Sequence, residues 1–193
     1  LTMYMSSSEN YATYTAKALD ADYRLISQGG WGVYCGWDND VRHNIPSCYE
    51  KICGLGLGKV NEAVGAQKDY NFASWKPDAI IVNLGTNDAR AFNQPPFTIP
   101  ETGETFKQHK NTDGNFMEKD RERFENAVYD FLKMIRKNNP EAHIVWVYGM
   151  LGYDLTLPIT NAMNRYQKDT GDHNTAFLNL PNTTADTVGA HMH

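Results

Sequence analysis

Apolar residues recur at spacings of three and four between residues 117 and 137, where Phe124, Val128, Phe131, Leu132 and Ile135 fall on one face. The pattern predicts an amphipathic helix ended by Asn138-Asn139-Pro140. Weaker helical patterns cover residues 9–19, with Ser8 as N-cap, residues 60–70, and residues 157–169, starting at the Pro158 turn. Between them lie β-type runs. Residues 23–27 read as a short strand and residues 176–180 as a last one. His143–Tyr148 and residues 79–84 are near-continuously apolar, which predicts strands buried on both faces of a parallel sheet, residues 79–84 in a central position. Residues 34–58 and 92–115 are rich in Pro, Gly and polar residues without a clear period, and read as an irregular excursion and an inserted loop. Residues 182–193 read as a loop.

Strands alternating with helices predict an α/β domain with a parallel sheet. In such sheets a site forms beyond the carboxyl ends of the strands. Three polar clusters fall there: Gly29-Gly30-Trp31-Gly32, Gly85-Thr86-Asn87-Asp88, and the final loop with His191 and His193.

Composition narrows the function classes. The chain has 193 residues, which suits one domain with a sizeable core, and both ends read as cut. Hydrophobic residues make up 41% and charged residues 21%, an ordinary globular balance. A net charge of -5 gives no electrostatic case for nucleic acid. No apolar run approaches the roughly 20 residues that span a bilayer, so no membrane role is expected. Cys35, Cys48 and Cys53 form an odd set, with Cys48 and Cys53 close enough in sequence to pair across a loop. Neither cofactor nor metal is expected. Asp38, Asp40 and His43 lack further ligands and read as a polar loop, and Gly54-Leu55-Gly56-Leu57-Gly58-Lys59 lacks the Ser or Thr of a phosphate loop. His43, His109, His143 and His173 have no evident partner in the sequence and read as structural or solvated.

The three clusters supply parts of acyl-transfer chemistry, which needs a nucleophile, a base and donors aimed at a developing oxyanion. Gly30 offers a backbone N–H, Asn87 a side-chain amide, and His193 or His191 an imidazole base. Trp31 beside Gly30 either walls the acyl pocket or stacks on a sugar ring, and Trp37 and Tyr34 are open to the same use or to packing the long loop.

In this order the clusters resemble the conserved blocks of SGNH (GDSL-like) hydrolases, with Val82-Asn83-Leu84-Gly85-Thr86-Asn87-Asp88 the clearest match. The resemblance implies a three-layer α/β/α, flavodoxin-like fold with a mostly parallel sheet of about five strands. It assigns Gly30 (Gly29 if the register slips by one) and Asn87 as oxyanion donors and His193 as the base. The Gly-Asp-Ser block that carries the nucleophile is absent from the chain and is expected upstream of Leu1; Ser6, Ser7 and Ser8 lack its Gly-Asp prelude. Ala190 stands where the family's Asp precedes the base by three residues, which implies a Ser–His dyad oriented by a backbone carbonyl, with Asp186 as a more distant alternative. That departure, Glu9-Asn10-Tyr11, the Ser27–Gly32 turn and the Gly189-Ala190-His191-Met192-His193 ending resemble carbohydrate esterase family 2. The expected activity is therefore removal of acetyl groups from xylan or glucomannan. The expected partner is the acetylated polysaccharide, and a secreted or periplasmic location follows from that substrate. A lipase-like esterase on small acyl esters and a non-catalytic carbohydrate-binding module are the alternatives.

Overall fold

The computed structural model describes residues 9–149 and 154–181. Its elements are α1 (Tyr11–Ala18), α2 (Pro46–Tyr49), α3 (Lys59–Ala63), β1 (Ala79–Val82), α4 (Thr86–Ala91), β2 (Phe97–Thr98), β3 (Thr105–Phe106), α5 (Glu118–Asn138), β4 (His143–Tyr148), α6 (Thr156–Thr170) and β5 (Thr175–Asn179). β1, β4 and β5 form a parallel sheet in the order β1-β4-β5, with Ile80 beside Ile144 and Trp146 beside Phe177.

Side chains alternate across a strand, so this register sorts them by face. Ile80, Val82, Ile144, Trp146, Tyr148 and Phe177 share one face and join a single core with the apolar stripe of α5 and with Ile159, Ala162, Met163 and Tyr166 of α6. All five α5 positions predicted from spacing are buried. On the other face Ile81 and Leu178 are 51% and 52% exposed, while Val147 beside Leu178 is buried.

The class is the expected α/β fold with a parallel sheet, but the described residues supply three strands, not the larger sheet expected. Among the described residues β1 is an edge strand rather than a central one, and of its four residues only Val82 is buried. Its apolar run serves one covered face. Residues 23–27 form no strand: Tyr23, Leu25 and Ile26 are exposed, and a β-type run gains little without a partner. The helix expected over residues 60–70 ends at Ala63, because Gly65 takes a left-handed turn at φ +90°. The segment read as an inserted loop folds back as the β2–β3 hairpin. Asn10 caps α1, its Oδ1 accepting from the Thr13 N–H at 3.0 Å, where Ser8 was expected; Ser8 lies outside the described residues. All three cysteines are free thiols, so Cys48 and Cys53 do not pair. Among the described residues no helix is long and apolar enough to cross a membrane.

Candidate active site

At the carboxyl end of β1 the chain must turn at once into α4. Trp146 Nε1 donates to the Leu84 carbonyl at 3.1 Å and fixes the strand end. Gly85 makes the turn at φ +121°, where an added Cβ would stand 3.0 Å from Tyr148 Cε2. Conformation and space both require glycine there. The turn delivers Asn87 and Asp88 to the first turn of α4.

Asp88 organises the site. Its side chain is buried and is held by backbone amides of the preceding glycine-rich loop. Oδ2 accepts from Val33 N–H at 2.9 Å, and Oδ1 accepts from Tyr34 and Cys35 N–H at 2.8 and 3.1 Å. Successive N–H groups converging on one anion form a nest. Burial pushes the Asp88 carboxyl above its ordinary range, and the N–H donors draw it partway back. The approach is so close that a Cβ on Gly32 would lie 2.2 Å from Asp88 Oδ2 and 2.3 Å from the Cys35 carbonyl. Burial, with the Asp88 charge beside it, pushes the Cys35 thiol up, so Cys35 is no thiolate nucleophile.

This seating brings two of the predicted residues together. Asn87 Nδ2 donates to the Trp31 carbonyl at 2.8 Å, one residue from Gly30. Gly30 adopts φ +83°, its carbonyl accepts from Trp37 N–H at 3.0 Å, and its own N–H meets no protein acceptor among the described residues. Trp31 packs on the core and stacks on His43, ring centroids 5.2 Å apart and planes 20° from parallel. Trp37 is 41% exposed, with the Arg90 guanidinium 5.1 Å from its ring. Gly30, Trp31, Trp37, His43 and Leu55 line a cleft of about 510 Å³. The Asp38 carboxylate also lines it and Asn87 does not, and its aromatic walls suit a sugar ring.

Three of the histidines have partners that are not evident in the sequence. His43 has Trp31 beneath it and the Asp38 and Asp40 carboxylates 3.8 and 3.7 Å from its ring nitrogens. His109 pairs with Asp120 at 2.9 Å, and His143 with Asn174 at 2.7 Å. Asp40 belongs to Arg42, whose hydrogen bonds hold its carboxyl below the usual carboxylate range. Among the described residues no group of three or more His, Cys, Asp or Glu is arranged to hold a metal. Tyr34 faces a second cleft, away from Trp31 and Trp37. His193, His191, Asp186, Ser6 and Ser7 lie outside the described residues. The organising role of Asp88 and Gly32 was missed in the sequence. An acidic residue set among Ala89, Ala91 and Phe92 was the available signal.

Similarity to known proteins agrees with this geometry. The sequence profile described as GDSL-like lipase/acylhydrolase matches residues 8–191. The structure of an acetyl xylan esterase from the rumen bacterium Butyrivibrio proteoclasticus is 60% identical, with a TM-score of 0.95 over 98% of this chain and 51% of that one. A family two carbohydrate esterase from Cellvibrio japonicus shares the fold, with a TM-score of 0.68 at 22% identity over 98% of this chain and 48% of that one. A curated Cellvibrio japonicus protein, named acetylxylan esterase / glucomannan deacetylase, is 28% identical over 151 residues, 78% of this chain and 33% of its own length. The chain thus spans about half the length of the solved relatives and a third of the curated one. With its profile matched over residues 8–191, the chain belongs to the GDSL-like lipase/acylhydrolase family.

Proposed function

We propose that this protein is a serine carboxylic ester hydrolase of the carbohydrate esterase family 2 type, removing O-acetyl groups from plant cell-wall polysaccharide such as xylan or glucomannan. The observation that carries the reading is the 60% identity, across 98% of the chain, to an acetyl xylan esterase. The joined Gly30–Trp31–Asn87 cluster supports it from the chemical side.

In this mechanism a serine hydroxyl, expected from the Gly-Asp-Ser block of the family, attacks the acetyl carbonyl. His193 takes the serine proton and gives it to the departing sugar oxygen, leaving an acetyl-serine; water, deprotonated by the same imidazole, then cleaves that ester to acetate and the proton returns to the serine. Tetrahedral charge falls on an oxygen facing the Gly30 N–H and the Asn87 amide. An amide has two hydrogens; the one on the Trp31 carbonyl fixes the group, leaving the other to donate. Trp31 walls the acyl pocket or carries the sugar. No cofactor enters any step. A secreted or periplasmic location accompanies a polymeric cell-wall substrate.

Acetate release from acetylated xylan and glucomannan by the intact protein tests this reading. Asn87→Ala should lower kcat about 100- to 1000-fold, as loss of an oxyanion donor does, and His193→Ala should abolish turnover. Unchanged hydrolysis in both variants overturns the assignment. Faster cleavage of long-chain p-nitrophenyl esters than of the acetate points instead to a lipase-like esterase. Polysaccharide binding without any acetate release points to a binding module.

A further inference from the structure

The loop that carries Gly30 and Trp31 turns its other side to a second cleft, of about 540 Å³, which the proposed mechanism does not use. Tyr34 forms one wall, and Pro96 and Phe106 form an apolar wall. Three nitrogen-bearing side chains, Lys107, His109 and Arg123, complete it, with Thr105 at the rim. No acidic side chain lines it, in a chain whose net charge is -5.

The cations are built in. Lys107 Nζ donates to the carbonyls of Phe92 and Gln94, which fixes the ammonium and desolvates it in part. Behind the wall Asp120, 3% exposed, accepts from Arg123 NH1 at 2.7 Å and lies 2.9 Å from His109 Nδ1. It also accepts from the His109 backbone N–H at 2.8 Å. Asp120 thus orients both side chains and offsets one positive charge. Formally Lys107 and Arg123 against Asp120 leave one positive charge with His109 neutral. Among the described residues no protein group meets His109 Nε2.

A positive cleft with an aromatic wall fits a ring bearing a carboxylate. Arg holds a carboxylate through paired N–H groups, and an aromatic face holds the ring. Trp31 and Tyr34 are three residues apart, so their Cα atoms are within about 11 Å. Both clefts are therefore within the span of a short oligosaccharide.

We propose that this second cleft binds a uronic acid carried by the same polysaccharide, selecting acetyl groups near an acidic side group. The inference rests on the polysaccharide esterase reading above. Calorimetric titration of the intact protein tests it, with four probes: a glucuronic-acid-substituted xylo-oligosaccharide, the unsubstituted oligosaccharide of equal length, free glucuronate and inorganic sulfate. The acidic oligosaccharide should bind about tenfold more tightly than the neutral one, the scale of a charge-assisted pair. Arg123→Gln and, independently, Thr105→Glu, which sets a carboxylate at the rim without touching the Asp120 network, should remove that preference. Hydrolysis of p-nitrophenyl acetate should stay unchanged in Thr105→Glu. Equal binding of acidic and neutral oligosaccharides overturns the proposal. So does sulfate or free glucuronate binding as well as the acidic oligosaccharide, or a preference that survives Thr105→Glu. Failure of the esterase reading shows separately, as absence of acetate release by the unaltered protein, because binding is read without turnover.

Discussion

Residues 29–36 separate two clefts, and each is anchored by a buried carboxylate of a different kind. Asp88 holds the main chain of the dividing loop through the backbone N–H groups of Val33, Tyr34 and Cys35 and has no described counterion. Asp120 holds the Tyr34 side through Arg123 and His109, whose side chains are 38% and 54% exposed. The first carboxylate fixes main-chain shape, and its partners have no other acceptor to turn to. The second fixes two partly exposed side chains that water can reclaim. The proposed ester site thus has a rigid backbone, and the proposed uronate site has side chains that water can reach.

Removing the anchors measures this difference. Asp88→Ala leaves three converging N–H groups without an acceptor and should cost about 4 kcal/mol in urea unfolding, with esterase activity lost alongside. A cost below about 1 kcal/mol would erase the contrast. Gly32→Ala presses a methyl group against Asp88 and the Cys35 carbonyl and should cost about 2–3 kcal/mol by overpacking. Wild-type stability in that variant would mean the loop is free to shift. Asp120→Ala should cost only about 1–2 kcal/mol, since Arg123 and His109 regain water; a loss equal to that of Asp88→Ala would make the two anchors alike.

A third carboxylate sharpens the comparison through pH. Asp172 opposes its own burial with hydrogen bonds from the Tyr166 hydroxyl at 2.6 Å and Arg136 Nε at 2.7 Å, and its carboxyl ends below the ordinary value. A depressed native pKa means that its stabilisation is present above the unfolded value, about pH 4, and fades as pH falls through the native one. The Asp172→Asn penalty should therefore be about 1 kcal/mol at neutral pH and shrink on acidification. Asp88 has the opposite sign: its pKa is raised, so its protonation-linked contribution is complete below the unfolded value and is lost as pH rises through the native one. A penalty for Asp172→Asn that grows in acid would contradict the assignment.

The parts readable from sequence are those whose cause is local. The α5 stripe repeats every three or four residues, and β4 runs over the residues its apolar pattern predicts, His143–Tyr148. Gly30 and Asn87 stood out because each follows a β-type run and carries a donor. What escaped depends on distant partners. Among the described residues β1 is an edge strand, and whether a strand is central turns on which strands pair beside it, which a four-residue pattern does not carry. Residues 23–27 are β-type, yet among the described residues no strand pairs with them and the segment is exposed. Asp88 meets amides 53 to 55 positions away, and every non-proline residue has such an amide, so no side-chain pattern announces the contact. Asp120 and His109 are 11 residues apart across the end of a loop, a separation with no periodic meaning.

The contact between the missing Cβ of Gly32 and the Asp88 carboxylate also sets how this loop can be redesigned or can drift in evolution. The two positions act as one unit: a larger residue at 32 needs a smaller one at 88, and that smaller residue abandons three amides. Variation is thereby steered to the rim, where Trp37 and Leu55 are exposed and answer to no buried partner of this kind. A library that randomises Trp37 and Leu55 while holding Gly32 and Asp88 changes which esters enter without spending folded molecules on a broken loop.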